Sequence, residues 1–277
     1  VEVMSQVPIG AAIIDSFNAG HGQPFGGKGT SERYPGVQFS QFTGAEMMAE
    51  RWKMPREELD SFALASHQKA INATESGFFD REIVPVEGDL PNGEKEMVTV
   101  DEGIRFDASE ESLSGLNTLT DEGVLTAGTS SQICDGAAAV MLVNDAGLKK
   151  LGLKPRAKVV ALALAGDDPV IMLTGPIPAS KNVLEKASMS IEDIDLYEVN
   201  EAFAPDPLAW AKELNADLGK LNVNGGAMAL GHPLGGTGAK LMTTLLHELE
   251  RREARFGLQA ICEGGGTANA MIIERIS

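Results

Sequence analysis

The second half of the chain alternates short apolar runs with longer amphipathic segments. Four apolar runs have the length of strands, at residues 159–165, 194–199, 258–262 and 270–273. Three segments carry apolar side chains at helical spacing, at residues 180–187, 202–214 and 238–252. Val223 follows the second of these helices as a short extended piece. This alternation predicts an α/β domain in which helices cover a sheet.

The first half of the chain has a weaker pattern. Residues 18–36 contain six glycines and two prolines without periodicity, which predicts irregular structure. Helices are predicted over residues 43–53 and from Pro55 to Gly77, because proline suits the first helical turn and glycine ends a helix. The second helix has an apolar stripe that we expect to be buried, made of Leu59, Phe62, Ala63, Ser66 and Ala70. Short runs typical of strands lie at residues 83–86, 97–100 and 137–143.

A basic segment separates the two halves. Residues 147–158 contain five basic residues and one proline, which is typical of a linker. The basic side chains suit either contact with an anionic ligand or a hydrated hinge, and the sequence leaves both open.

The charge and cysteine content narrow the class of protein. The chain has 40 acidic and 23 basic residues, a net charge of −17, so we expect neither nucleic acid nor an anionic membrane as a partner. Its two cysteines, Cys134 and Cys262, are too few for a disulfide framework and indicate a reducing, cytoplasmic compartment. No apolar run approaches the length of about 18–20 residues that a membrane span needs.

Polar residues with chemical uses collect at three strand ends. Asn200 directly follows the run 194–199, His232 lies in a glycine-rich segment, and Cys262 ends the run 258–262. Because ligands bind beyond the carboxyl ends of strands in α/β sheets, we expect these residues to share one pocket. A thiol can carry a proton or attack a carbonyl, and histidine can act as its base. The glycines from Gly264 onwards can expose backbone N–H groups to an oxyanion.

Each of these residues also has a structural explanation. A buried cysteine usually packs as a small apolar group, and a Gly-His-Pro sequence commonly forms a turn. However, six glycines fall in the 17 residues 222–238, more than packing alone requires. The sequence lacks GxxxxGK[ST] and lacks GxGxxG after a strand, so nucleotide binding of these two kinds is not expected. No cluster of histidine, cysteine and acidic residues has metal-ligand spacing, so we expect no metal site.

Long segments of the chain resemble the thiolase family. NVNGGAMALGHPLGGTGAK at residues 222–240 is similar to the glycine-histidine signature of thiolases, and CEGGGTANAMIIER at 262–275 is similar to their cysteine signature. Four shorter segments also resemble thiolase sequences, in thiolase order: VEVMSQVP, TAGTSSQICDGAAAV, TGPIPAS and NEAFAP. The resemblance implies an α/β fold with layered αβαβα architecture. It further implies a loop domain plus the remainder of an N-terminal domain at 1–125, the last helix and strand of that domain at 126–150, and a C-terminal domain at 151–277.

The resemblance also implies an activity, that of an acyltransferase acting on acyl-CoA and CoA, with no permanently bound cofactor. Thiolases cleave 3-ketoacyl-CoA with CoA or condense two acyl-CoA molecules. Cys262 matches the cysteine that moves a proton at the substrate α-carbon, and His232 matches the histidine that activates the nucleophile. Asn200 matches the residue that holds a water in an oxyanion hole, the Gly264 N–H matches a donor of a second hole, and Phe203 would line the acyl pocket. A homodimer or homotetramer is also implied.

Two departures from the family pattern stand out. The acylated cysteine of thiolases precedes the segment that resembles VEVMSQVP, so we expect it to be absent from these 277 residues and the N-terminal half to be incomplete. Cys134 does not replace it, because it lies in a later segment. Asp206 stands where an apolar residue is usual, so we expect its carboxyl to be exposed or paired.

Two alternative functions stay open besides that of an acyltransferase. The protein could be a non-catalytic acyl-CoA-binding protein or fragment, or a thioester hydrolase with Cys262 as nucleophile.

Overall fold

The computed structural model describes residues 1–90 and 92–276. Its strands are β1 (Glu2–Val3), β2 (Val86–Asp89), β3 (Lys95–Val98), β4 (Asp135–Gly136), β5 (Ala157–Gly166), β6 (Leu196–Val199), β7 (Phe256–Glu263) and β8 (Thr267–Arg275). Its α-helices are α1 (Ala11–Asn18), α2 (Lys28–Arg33), α3 (Gln41–Arg51), α4 (Arg56–Glu75), α5 (Glu110–Ser114), α6 (Asp145–Leu151), α7 (Pro176–Ala187), α8 (Pro205–Leu214), α9 (Ala227–Leu230) and α10 (Thr237–Arg251).

Strands β5 to β8 form one mixed sheet in the order β5-β8-β7-β6. Strand β6 runs parallel to β7, whereas β8 is antiparallel to both of its neighbours. A single bridge from Tyr197 to Leu221 extends the sheet beyond β6. The four predicted strands of this half are therefore confirmed, and their ends differ from the apolar runs by at most three residues.

Helices cover both faces of this sheet. Side chains of β6 alternate between the faces, so Tyr197 and Val199 pack with the residues of α7 and α8, while Leu196 packs with α10. The Nε1 atom of Trp210 on α8 donates a 2.8 Å hydrogen bond to the Oγ atom of Ser180 on α7, which fixes the two helices together. The result is the layered α/β arrangement that the sequence predicts.

Helix α4 belongs to the first half of the chain, and the apolar stripe that the sequence predicts on it is buried. Leu59, Ala63, Ser66 and Ala70 are buried, and Phe62 is partly buried against the same core. The chain leaves the helix at Gly77, whose φ of 70° lies in the left-handed region that glycine adopts readily. This helix brings Ser66 into hydrogen-bonding contact with Glu201 and Gly226 of the second half, close to the site described below.

Several predicted elements were wrong in type or position. Residues 137–143 do not form a strand, because no other strand of residues 1–90 and 92–276 pairs with them, and Met141 and Leu142 are exposed. Val223 lies in a turn, and the segment 18–36 contains the short helix α2. The strands predicted at 83–86 and 97–100 are displaced to β2 and β3.

The basic segment 147–158 is partly helical, because α6 occupies its first residues. Arg156 forms an ion pair with Glu250 at 2.8 Å, and Lys158 forms one with Glu274 at 2.6 Å. Since carboxylates of the chain itself neutralise these two cations, the hydrated hinge is the better explanation for them.

Candidate active site

A cavity of about 350 Å³ opens where β7 ends. Three of the predicted site residues line it, namely His232, Cys262 and Gly264. Apolar side chains form much of the remaining wall; they belong to Met172, Leu173, Leu234 and Ile261. The carboxyl end of a strand therefore carries the polar groups, as the position of these residues in the sequence indicates.

Cys262 is positioned by the hairpin of β7 and β8, in which it pairs with Ala268. The chain turns at Gly265 and Gly266, whose φ values of 80° and 83° favour glycine. Burial is the main cause that raises the pKa of the Cys262 thiol well above its usual value, and the carboxyls of Asp206 and Glu263 add to the shift. At neutral pH the group is therefore a thiol that can give up a proton, and not a standing thiolate.

His232 lies in the turn between α9 and α10. Its Nδ1 atom is 2.7 Å from the Oγ1 atom of Thr237, and its Nε2 atom is 3.4 Å from the Nδ2 atom of Asn200. Burial, followed by the positive charge of Lys240, lowers the pKa of His232 to about 4. The imidazole is therefore neutral at physiological pH and is able to accept a proton.

Asn200 directly follows β6 and is not among the cavity-lining residues, but its side-chain amide contacts His232. Its backbone N–H donates to the carbonyl oxygen of Ala260 at 3.0 Å, which continues the pairing of β6 with β7. The Oδ1 atom is buried and accepts no hydrogen bond from the described residues. An amide with a free buried acceptor is suited to hold a small polar group such as a water.

Glu201 organises the surroundings of Asn200, a role that sequence reasoning missed. Its carboxylate accepts hydrogen bonds from the Ser66 hydroxyl and the Asn222 amide, both at 2.8 Å, and from the Met228 N–H at 3.2 Å. Burial raises the pKa of this carboxyl, while these donors favour its charged form. A signal was present, since a glutamate between a buried strand and an apolar helix start needs partners.

A strained turn supplies part of the cavity wall and was also missed. Met172 has a φ of 62°, and the N–H of Leu173 donates to the carbonyl oxygen of Ile171 at 2.6 Å. This i to i+2 bond with positive φ at the middle residue defines a γ-turn of the rare, strained kind. A side chain at Gly44 would collide with the Ile171 carbonyl, so the glycine permits α3 to approach this turn.

Two residues of the segment after Asn200 are buried away from the cavity. Phe203 is 3% exposed, and its ring packs edge-on against Phe42 with centroids 5.5 Å apart. It is not among the cavity-lining residues, so its role in an acyl pocket stays a prediction. The expectation for Asp206 was wrong: it is 3% exposed, its Oδ2 atom accepts only the Phe203 N–H at 3.2 Å, and its Oδ1 atom accepts nothing from the described residues. Its position in the first turn of α8 turns its side chain into the core.

Cys134 is a partly buried free thiol that is not among the cavity-lining residues. A side chain at Gly231 would collide with its sulfur, so the cysteine packs against the turn that carries His232.

Among residues 1–90 and 92–276, no group of three or more histidine, cysteine or acidic side chains is arranged to hold a metal ion. In the same part of the chain, no helix combines the length and the apolar character that crossing a bilayer demands.

A thiol, a neutral imidazole and backbone N–H groups on one cavity of an α/β fold define a site suited to acyl chemistry. Comparison of the sequence with known protein families identifies one family. The N-terminal domain of thiolases matches residues 1–146, and the C-terminal domain of thiolases matches residues 153–275. The chain belongs to the thiolase family.

Individual relatives agree with this assignment. The steroid 3-ketoacyl-CoA thiolase FadA6 of Mycobacterium tuberculosis is 49% identical over 277 residues, which are 100% of this chain and 67% of that protein. The 3-ketoacyl-CoA thiolase of Aliivibrio fischeri is 46% identical over 236 residues, which are 83% of this chain and 61% of that protein. The chain thus spans about 60% to 67% of the length of these relatives.

Solved structures show the same fold. The acetyl-CoA acetyltransferase of Bacillus anthracis superposes with a TM-score of 0.83 at 42% identity, over 87% of this chain and 61% of that one. A human mitochondrial 3-ketoacyl-CoA thiolase, solved in complex with CoA, gives a TM-score of 0.78 at 40% identity, over 84% of this chain and 58% of that one. The thiolase-like α/β fold expected from the sequence is therefore confirmed.

Proposed function

We propose that the chain is the part of an acyl-CoA C-acyltransferase that moves the proton and stabilises the enolate when 3-ketoacyl-CoA is cleaved by CoA or when two acyl-CoA molecules condense. The observation that carries the proposal is the meeting of Cys262, His232 and Gly264 on one cavity, with Asn200 in contact with His232. CoA and acyl-CoA are the substrates, and no permanently bound cofactor takes part.

In the cleavage direction, Cys262 acts as the acid. A nucleophilic cysteine thiolate adds to the β-carbonyl carbon of the ketoacyl group and keeps the acyl group. The bond between the α- and β-carbons then breaks, its electron pair forms an enolate, and the Cys262 thiol gives its proton to the α-carbon. His232 and a water held by Asn200 stabilise the charge on the enolate oxygen of the thioester, and the Gly264 N–H stabilises the charge on the former β-carbonyl oxygen. One such donor typically lowers the barrier by about 3–4 kcal/mol. Since the raised pKa of Cys262 keeps the thiol protonated at neutral pH, the group is ready for this step.

The acyl group needs a second, nucleophilic cysteine. We propose that this is neither of the two cysteines of the chain, because Cys262 serves as the proton carrier and Cys134 does not reach the cavity. Burial also raises the pKa of Cys134, which disfavours the thiolate that attacks a thioester. The acyl-enzyme would therefore form on a cysteine outside these 277 residues. We further propose that the protein is a homodimer or homotetramer and that it works in the cytoplasm.

We also propose that the chain has three parts: a loop domain with the remainder of the N-terminal domain at residues 1–125, the last helix and strand of that domain at 126–150, and the C-terminal domain at 151–277. The boundary near residue 150 is supported by the two domain matches, which end at 146 and begin at 153.

The test follows exchange of the α-protons of acetyl-CoA with D2O. In this exchange the small thiolate fraction of Cys262 removes an α-proton and the thiol, after equilibrating with D2O, returns a deuteron to the α-carbon, so the reaction requires the proton carrier but no second cysteine. We expect deuterium uptake, measured by mass spectrometry, with the unmodified chain. Cys262→Ala should lower the rate by about 100-fold, a typical contribution of a general acid or base. Cys134→Ala is the matched control and should leave the rate unchanged. Equal rates for the Cys262→Ala variant and the unmodified chain would contradict the role of Cys262.

The same preparations decide between the alternatives. Binding of acetyl-CoA without exchange would favour a non-catalytic acyl-CoA-binding protein. Release of free CoA with a labelled acyl group trapped on Cys262 would favour a thioester hydrolase. Turnover of acetoacetyl-CoA and CoA by the chain alone would show that no further cysteine is needed.

We propose a bulky, ring-bearing acyl group as the substrate class. The support is that the relative matching all 277 residues is named a steroid 3-ketoacyl-CoA thiolase, and that the cavity wall beside Cys262 is largely apolar. In competition binding, a steroid-side-chain acyl-CoA should displace labelled CoA at lower concentration than acetoacetyl-CoA does. The opposite order would show a short-chain enzyme.

A further inference from the structure

Thr237, the first residue of α10, makes two hydrogen bonds through one hydroxyl group. Its Oγ1 atom lies 3.0 Å from the carbonyl oxygen of Pro233 and 2.7 Å from the Nδ1 atom of His232. The side chain is 2% exposed, so water does not compete for these bonds. A carbonyl oxygen can only accept, and a hydroxyl has one proton to donate. Both bonds can form together only if Thr237 donates to Pro233 and accepts from an N–H at Nδ1 of His232.

This arrangement determines which nitrogen of His232 carries the proton. In a neutral imidazole, a proton on Nδ1 leaves a lone pair on Nε2. The Nε2 atom faces the Nδ2 atom of Asn200 at 3.4 Å, and an amide N–H there can donate to the lone pair. The hydrogen bonds then run in one direction, from Asn200 through His232 and Thr237 to Pro233.

Lys240, one helical turn after Thr237, adds to the effect of burial on the imidazole and contacts the turn that carries it. Its Nζ atom donates to the carbonyl oxygen of Leu230 at 2.6 Å, just before the Gly231 and His232 pair. Its positive charge disfavours a second proton on the ring, in addition to the larger effect of burial. Helix α10 thus approaches His232 with a hydrogen-bond acceptor and a nearby cation.

We infer that Thr237 is a positioning residue that fixes His232 in the tautomer with its proton on Nδ1, so that Nε2 carries the lone pair that accepts a proton. The catalytic meaning of this inference rests on the proposed function. A thiol S–H bond of the nucleophile or of CoA breaks, its proton moves to Nε2, and the electron pair stays on sulfur. The new Nε2–H can then donate to a thioester oxygen. Because Thr237 accepts from Nδ1 before and after this transfer, the ring need not turn.

The tautomer can be measured by NMR on the chain labelled with 15N histidine. Long-range 1H–15N correlations distinguish a protonated from an unprotonated ring nitrogen, and His232→Gln identifies the His232 signals among the four histidines. We expect Nδ1 to be protonated and Nε2 to be unprotonated at pH 7. Thr237→Val removes the acceptor at nearly constant volume and should shift the signals towards the Nε2–H tautomer. Thr237→Ser keeps the hydroxyl and should restore the original pattern.

An Nε2–H tautomer in the unmodified chain would overturn the inference, whatever the variants show. So would a Thr237→Val spectrum with unchanged His232 signals. If Thr237→Val does not fold, Thr237→Ala provides the same comparison with a smaller side chain. The measurement needs no turnover, so a correct tautomer in a chain without α-proton exchange would count against the proposed function and not against the role of Thr237.

Discussion

The hydroxyl of Ser66 donates a 2.8 Å hydrogen bond to the Oε2 atom of Glu201, across 135 positions of the sequence. Both side chains are buried, and the Gly226 N–H donates to the same Ser66 oxygen at 2.9 Å. The serine therefore joins α4 of the first half to two segments of the second half. Because Glu201 directly follows Asn200, this link also helps to fix the position of Asn200 beside His232.

Ser66→Ala should destabilise the chain by about 1–3 kcal/mol, since it leaves a buried N–H at Gly226 without its acceptor and removes a donor from Glu201. Urea denaturation gives the free energy of unfolding. Ser61→Ala is the matched control, because Ser61 lies exposed on the same helix. That variant should stay within about 0.5 kcal/mol of the unmodified chain. Equal stabilities of the two variants would show that the Ser66 bond contributes nothing.

Gly226→Ala should be more damaging, because the added methyl group would overlap the Glu201 carboxyl group. Neither partner can move without breaking the bonds of Ser66 or Asn222, so we expect a loss of about 3 kcal/mol or more. Gly264→Ala is the control within the site. A side chain at Gly264 has open space around it and leaves the N–H in place, so the fold should tolerate it. Thermal unfolding of both variants makes the comparison, and similar melting temperatures would contradict it.

Asp206 should make the stability of the chain fall as the pH rises. Burial raises the pKa of its carboxyl well above the usual value, so the folded chain keeps a proton that the unfolded chain releases above about pH 4. The contribution of this group is thus fully present below about pH 4 and is lost as the pH rises towards the raised folded pKa.

Asp206→Asn removes this dependence, because the amide does not ionise. We expect the variant to exceed the unmodified chain by about 1–3 kcal/mol at pH 8 and to match it near pH 4. Urea titrations at the two pH values measure the difference. Asp89→Asn, at an exposed position, should change neither value by more than about 0.5 kcal/mol. A constant difference between Asp206→Asn and the unmodified chain at both pH values would exclude this titration.

The sheet, and the position of His232, Cys262 and Gly264 on one cavity, could be predicted because their signals are local. Strands β5 to β8 are apolar runs that pair among themselves, and His232 and Cys262 lie in long glycine-rich segments with a characteristic order of residues. The run 137–143 has the same apolar character, yet it forms no strand, because pairing depends on a neighbour and not on composition.

The residues that were missed act through contacts that the sequence does not display. Glu201 meets Ser66 from a distant segment, and the turn at Met172 lies against Gly44 of α3. Asp206 was misjudged for a related reason: its exposure depends on which face of α8 turns to the core. Thr237 is the exception, since a threonine five residues after His232 at a helix start could have been noticed.

The Cys262 thiol should react slowly with alkylating reagents, because only the thiolate attacks them and burial raises the pKa of the thiol. Cys134→Ser leaves Cys262 as the one thiol of the chain, so its rate with iodoacetamide can be followed by mass spectrometry. At pH 8 we expect a rate at least about tenfold below that of glutathione, rising steadily towards pH 10. A rate equal to that of glutathione at pH 8 would show that the pKa of the thiol is not raised, which would contradict the assignment of Cys262 as a thiol held in its protonated form for the α-carbon.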